Sequence, residues 1–139
     1  MLKLSTMKAT YRSEHILVIA GKLPSINEYT ETQRRNRYCG AGLKSKHQKM
    51  IEYCIRGQLK RIKITNPVDM KYTFYEPNKK RDKDNVAGFA MKVVQDALVN
   101  VGVLENDGWK NIRNIYLEFK IDKKNPRIEV ILREVTDAK

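Results

Sequence analysis

The sequence predicts an α/β fold of the α+β kind, a single mixed β-sheet carrying two helices in the order β-α-β-α-β-β. Three observations carry that prediction. Residues 16–20, ILVIA, form an apolar run of the length of a buried strand. Three later segments alternate apolar with polar residues, the period of a strand with one buried face. Two others repeat apolar residues every three to four positions, the period of a helix packed on a core. The chain of 139 residues has no internal repeat and no linker, so residues 1–139 read as one domain. Residues 1–14 are expected to form a flexible or extended N-terminal segment.

After the first strand, Gly21, Pro24 and Asn27 break regular structure. The polar, glycine-containing stretch that follows, with Arg34, Arg35 and Arg37, reads as a long loop. Ser45 with Gln48 makes a capping box for a helix over 46–63, with Ile51, Ile55, Leu59 and Ile62 inward and Asn66-Pro67 ending the segment. Val68, Met70, Tyr72 and Phe74 alternate in a second strand. Asp84 or Asn85 is a good N-cap for a second helix. Its apolar stripe is Val86, Phe89, Ala90, Val93, Ala97 and Val101, and Gly102 is a natural stop. On a helical projection Asn85, Lys92 and Asp96 share one flank of that stripe. Ile115, Leu117, Phe119 and Ile121 then alternate, DKKNP turns the chain, and Ile128, Val130 and Leu132 alternate back, which predicts a hairpin.

The formal net charge is +12, and it is unevenly spread. Residues 76–109 hold five Lys/Arg against six acids, while the remainder holds 23 against 10. A basic body around an acidic focus suits a polyanion held by the body and cations held at the focus. No apolar run approaches the roughly 18 residues of a membrane span, and the N-terminus lacks the apolar core of a secretory signal. Both point to an intracellular protein. Cys39 and Cys54 lack C-x-x-C spacing and read as reduced thiols. His15 and His47 read as structural or exposed, and Trp109 as a core or interface residue.

The acidic focus contains a D-x-D, Asp82 and Asp84, between a strand and a helix, and Asp107 in the turn beyond that helix. Side chains at i and i+2 of an extended segment point the same way, so the first two can converge. Hard carboxylate oxygens suit Mg²⁺ or Mn²⁺, and Lys92 could stabilise charge on a phosphate. A helix of about 25 Å separates Asp84 from Asp107. The three can share an ion only if the chain returns or a second subunit contributes. From these residues alone the structural reading stays open: a helix cap, an ordinary turn and an i,i+4 surface pair.

Arg81-Asp82-Lys83-Asp84-Asn85, then Asp96-Ala97-Leu98, Gly102 and Asn106-Asp107, resemble the RusA family of Holliday junction resolvases. Its hallmark is an R-D-x-D-N motif, a helix carrying a lysine and a D-A-L, and a turn ending in an aspartate. LPSINEY, residues 23–29, is similar to the family's early P-S-x-N-x-Y segment. The resemblance runs over roughly 16–134. It implies a RusA-like fold and a Mg²⁺-dependent endodeoxyribonuclease, with Mn²⁺ able to substitute, that resolves four-way junctions by paired cleavage. It implies a homodimer acting on branched double-stranded DNA, with no membrane partner. The compartment implied is the cytoplasm, in association with the nucleoid, for a gene of either cellular or phage origin.

Carried across residue by residue, Asp82, Asp84 and Asp107 match the metal-site aspartates and Lys92 the catalytic lysine. The interval from Asp84 to Asp96 is one helical turn longer than in shorter members; counting forward from Asp84 lands on Gly88, and counting back from Asp96 lands on Lys92. Asn85 and Asp96 are expected to support that site from behind. Arg34, Arg35, Arg37, Lys44, Lys46, Lys79, Lys80 and Arg81 are the expected DNA contacts. Two rivals stand beside this reading. One is a D…E-x-K nuclease built on Asp107, Glu118 and Lys120; the other is a non-catalytic basic module that binds nucleic acid.

Overall fold

In the computed structural model, which describes residues 11–136, seven elements follow one another. They are β1 (Tyr11–Ala20), α1 (Ile26–Arg35), α2 (Arg37–Leu59), β2 (Val68–Glu76), α3 (Lys83–Val101), β3 (Ile112–Ile121) and β4 (Arg127–Val135). The single mixed sheet and the α+β class are as the sequence predicts, with one helix more. Residues 1–10 of the predicted N-terminal segment lie outside the described residues, and 11–14 belong to β1.

The predicted long loop is helical. Ser25 caps α1 by accepting from Glu28 N, and Glu28 answers on the Ser25 amide, a complete capping box lying inside LPSINEY. Gly40 is buried where the two helices meet, and a Cβ there would clash with Gln33 Cγ. That glycine serves close packing between α1 and α2 and does not mark a loop. The predicted cap at Ser45 and Gln48 is therefore an interior turn of α2, which starts at Arg37. The helix also ends earlier than predicted, because Lys60 turns the chain at φ 60°.

The predicted hairpin is not formed. The sheet order is β1-β4-β2-β3, so β3 and β4 flank β2 instead of pairing with each other. β3 runs parallel to β2, and β4 antiparallel to β2 and β1. A next-but-one neighbour lies about 10 Å away, a gap that the residues of DKKNP span easily. Asp122 N donates to Glu76 O as the chain passes over the end of β2.

One face of the sheet carries the core. Leu17 and Ile19, Met70, Tyr72 and Phe74, and Ile128, Val130 and Leu132 cluster with Ile51, Ile55 and Leu59 of α2 and Phe89, Val93 and Ala97 of α3. The other face is polar and charge-paired, with Lys71–Glu118, Arg127–Glu129 and Arg133–Glu14 across or along strands. The two sheet edges differ. On β1, the Gln58 carboxamide of α2 accepts from Val18 N at 2.7 Å and donates to Val18 O at 2.8 Å, which caps that edge. β3 lies beyond the helices, leaving Ile115, Leu117 and Ile121 of its core-side face 43–49% exposed.

Candidate active site

The strand β2 alternates Met70, Tyr72 and Phe74 inward and then places Glu76 in the same phase. A carboxylate only 8% exposed at that position requires a partner. Arg81 supplies it: Nε and Nη2 donate to the two Glu76 oxygens at 3.0 and 2.9 Å. The same guanidinium donates from Nη1 to Leu23 O at 2.8 Å and stands 3.7 Å from Glu28. Asn85 makes a second tie, its Oδ1 accepting from Asn27 N at 2.9 Å. The segments LPSIN and RDKDN are thus fastened together, and the fastening fixes where α3 begins.

At that beginning stands Asp82. It occupies the N-cap position with extended φ and ψ of −68° and 152°, yet its side chain makes no capping hydrogen bond. The structural reading, a carboxylate consumed as a cap, does not describe this residue. Asp84, in the first turn, accepts only the Asn85 amide among the described residues, on Oδ1 at 2.9 Å. Both aspartates are exposed and line a cleft of about 570 Å³ with Glu76, Lys79, Phe119 and Ile121. Lys83, between them in sequence, also lines it, its ammonium 5.7 Å from the centre of the Phe119 ring.

Asp107 is elsewhere. It lies past the C-terminal end of α3, a helix of 19 residues or about 28 Å. There it lines a separate cleft of about 380 Å³ with Gln95, Trp109, Arg113 and Ile115. Burial pushes the Tyr72 phenol well up, with Gln95 donating to it at 3.2 Å and the Asp107 charge adding to the shift. The chain therefore does not return to unite the three aspartates. Among the described residues no three His, Cys, Asp or Glu side chains stand together as a metal site.

The other expected residues divide. Lys92 is exposed, 3.8 Å from Asp96, and is not among the residues lining the Asp82–Asp84 cleft. Asp96 gives its closer contact to Lys44, at 2.7 Å. A Cβ on Gly88 would lie 3.1 Å from Ile26 Cβ, so that position is small because α1 packs on it. Arg34, Arg35, Arg37, Lys46, Lys79 and Lys80 are exposed, as a phosphate contact requires. Arg81 and Lys44 are instead engaged within the chain. Glu118 gives its carboxylate to Lys71 at 3.0 Å on the polar face of the sheet, which holds its pKa down. It does not line the Asp107 cleft. Trp109 is 99% exposed and belongs to no core.

Two residues escaped the sequence reading. Glu76 was detectable as the acid that breaks the apolar alternation of β2. Lys83 carried no local signal beyond its place inside D-x-D.

A family model described as Endodeoxyribonuclease RusA matches residues 22–133. No curated protein matches the chain. Among the described residues no helix is long and apolar enough to cross a membrane.

Proposed function

The chain belongs to the RusA family of endodeoxyribonucleases, and from that premise we propose that it is a Mg²⁺-dependent nuclease, acting as a homodimer in the cytoplasm, that resolves four-way DNA junctions by paired incisions. One observation carries the proposal: the three motif aspartates are exposed, and Asp82 holds a cap position without capping. Their donor set fits the ion. Mg²⁺ and Mn²⁺ prefer carboxylate oxygen and are commonly held by one or two carboxylates while keeping waters that a phosphate displaces. When bound, such an ion polarises a phosphodiester and lowers the pKa of an attacking water. The chain's own part is to hold that charge in place. Arg81 and Asn85 fix the backbone that presents Asp82 and Asp84, Lys83 adds an ammonium beside them, and Lys92 is assigned to the scissile phosphate.

Asp107 joins this site from a second copy. The support is geometric. β3 begins at the Asp107 cleft, which Ile112 and Ile115 line, and ends at the Asp82–Asp84 cleft, which Phe119 and Ile121 line. A two-fold axis crossing the middle of β3 exchanges its ends, so each copy's Asp107 cleft faces the other's aspartate pair. The surface such an axis would bury is the uncapped, apolar sheet edge, with Ile115, Leu117 and Ile121 and the bare Trp109 beside it. Two equivalent sites related by a two-fold also suit two matched incisions.

The purified protein should cut a synthetic four-way junction with Mg²⁺, and Asp84→Asn should bind the junction without cutting. A wild-type protein that binds junctions and never cuts them with Mg²⁺ or Mn²⁺ would be a binding module instead.

A further inference from the structure

Outside the proposed catalytic clefts, the outward side of α2 and the residues just past its end carry a dense positive charge. From Arg37 through Lys63 the chain carries eight Lys/Arg and one carboxylate. That carboxylate, Glu52, is 7% exposed and accepts from Gln48 and Asn100 in the interior. Asp96 neutralises Lys44 at 2.7 Å, and Arg56 stands 3.8 Å from Glu52. Arg37, Lys46, Lys49, Lys60, Arg61 and Lys63 are exposed and have no carboxylate partner among the described residues.

A solvated helix face is the ordinary explanation of such charge, and this protein contains its own control. On the polar face of the sheet, Lys71, Arg127 and Arg133 each meet a carboxylate within 3.0 Å. Those cations are closely paired, whereas six of the eight between Arg37 and Lys63 have no carboxylate partner among the described residues. Lys46, Lys49, Met50, Tyr53, Arg56 and Lys60 follow one another at helical spacing, which makes one stripe. Tyr53 is 80% exposed within it.

The end of the stripe adds an independent observation. Lys60 holds φ 60° and ψ −130°, a conformation that glycine adopts freely and other residues rarely. A lysine kept there lines, with Arg56, Arg61 and Lys63, a cleft of about 820 Å³ that reaches Val101 and Gly102. Those two close α3, so the cleft opens at the helix end that leads to Asp107.

We propose that the outward stripe of α2 and the cationic cleft at its end bind the sugar-phosphate backbone of one duplex arm of the branched substrate. This rests on the nuclease reading, which supplies the polyanion. From Lys46 to Lys60 the stripe measures about 21 Å, the length of roughly 6 base pairs. Tyr53 adds a hydroxyl donor among the ammonium groups. Contacts to phosphate and sugar carry no sequence information directly, so its contribution is affinity without sequence preference.

The test compares junction binding in EDTA for the wild type, the triple variant Lys60→Glu, Arg61→Glu, Lys63→Glu, and the single variant Lys60→Gly. Circular dichroism and melting verify that each is folded. The triple variant should bind at least about tenfold more weakly, with a salt slope shallower by roughly two to three, since each lost phosphate contact removes about 0.9. Hydroxyl-radical footprints should lose protection at one end of the roughly 6-base-pair stretch of an arm, where the cationic cleft sits, and keep it at the crossover. Lys60→Gly should bind more weakly with an unchanged or higher melting temperature, which a purely structural lysine would not give. A triple variant with wild-type affinity, slope and footprint, alongside a wild type that cuts junctions, overturns the arm-binding surface alone. A wild type that neither binds nor cuts overturns the nuclease reading and this surface with it.

Discussion

Replacing Arg81 by Ala should unfold the protein more readily while leaving its hold on DNA nearly intact. The residue was expected from sequence to contact DNA, but its guanidinium is occupied by both Glu76 oxygens and by Leu23 O. Truncation leaves Glu76, 8% exposed, without its counter-charge. Breaking a buried pair from one side costs about 3–5 kcal/mol. The two side chains keep 14% and 11% of their exposure, so water can relax part of the loss and about 3 kcal/mol is expected. For a domain of this size that is roughly 10 °C in Tm. Urea titrations of Arg81→Ala, Glu76→Ala and the double variant measure it, and the double variant should cost well under the sum because each single change strands the other partner. Below its Tm, Arg81→Ala should bind a junction in EDTA within about threefold of wild type, since phosphate contacts elsewhere are untouched. Its Mn²⁺ affinity should fall, because the clamp fixes the backbone presenting Asp82 and Asp84. An Arg81→Ala protein as stable as wild type and tenfold weaker on DNA would refute the clamp.

Asp82→Asn removes no cap hydrogen bond, so only the helix dipole is affected and stability should change by less than about 1 kcal/mol; thermal melts should show this while junction nicking is abolished. Lys92→Ala should lose cutting and keep binding. If it cuts normally and Lys83→Ala does not, the cation beside the aspartates is the catalytic one. Asp69 gives a pH signature. Burial pushes its carboxyl up, but hydrogen bonds from Arg113 and Tyr11 outweigh that and leave the pKa lowered. Its contribution is therefore full above the ordinary aspartate range and lost as pH falls through the depressed folded value. Asp69→Asn should cost about 2 kcal/mol at neutral pH, and urea midpoints of variant and wild type should converge in strong acid.

The strands and α3 were legible because each carries a period that packing against one core imposes: Met70, Tyr72 and Phe74 on β2, Phe89, Val93 and Ala97 on α3. α1 and the first turns of α2 were not, because Gly40 and Gly42 imitate a loop when the partner helix is unseen. Only the proximity of Gln33 shows why Gly40 lacks a side chain. The hairpin failed for a related reason. Alternation in β3 and β4 states that each has a buried face and says nothing about which strand lies between them. At the site, the aspartates followed from motif spacing. Glu76 meets Arg81 across the short turn between β2 and α3, a pairing that neither the strand period nor the helix period marks, and Asn27 as the partner of Asn85 is a long-range closure that no local pattern encodes.

Mixing two inactive variants tests the shared site most directly. In a dimer joining an Asp84→Asn chain to an Asp107→Asn chain, a site built across two copies regains one complete set of aspartates. A site built within one chain regains none. Co-refolded in equal amounts, the two chains should nick a four-way junction with Mg²⁺ at about a quarter of the wild-type level, because half the dimers are mixed and each has one working site. A mixture as inactive as either variant alone would contradict the account.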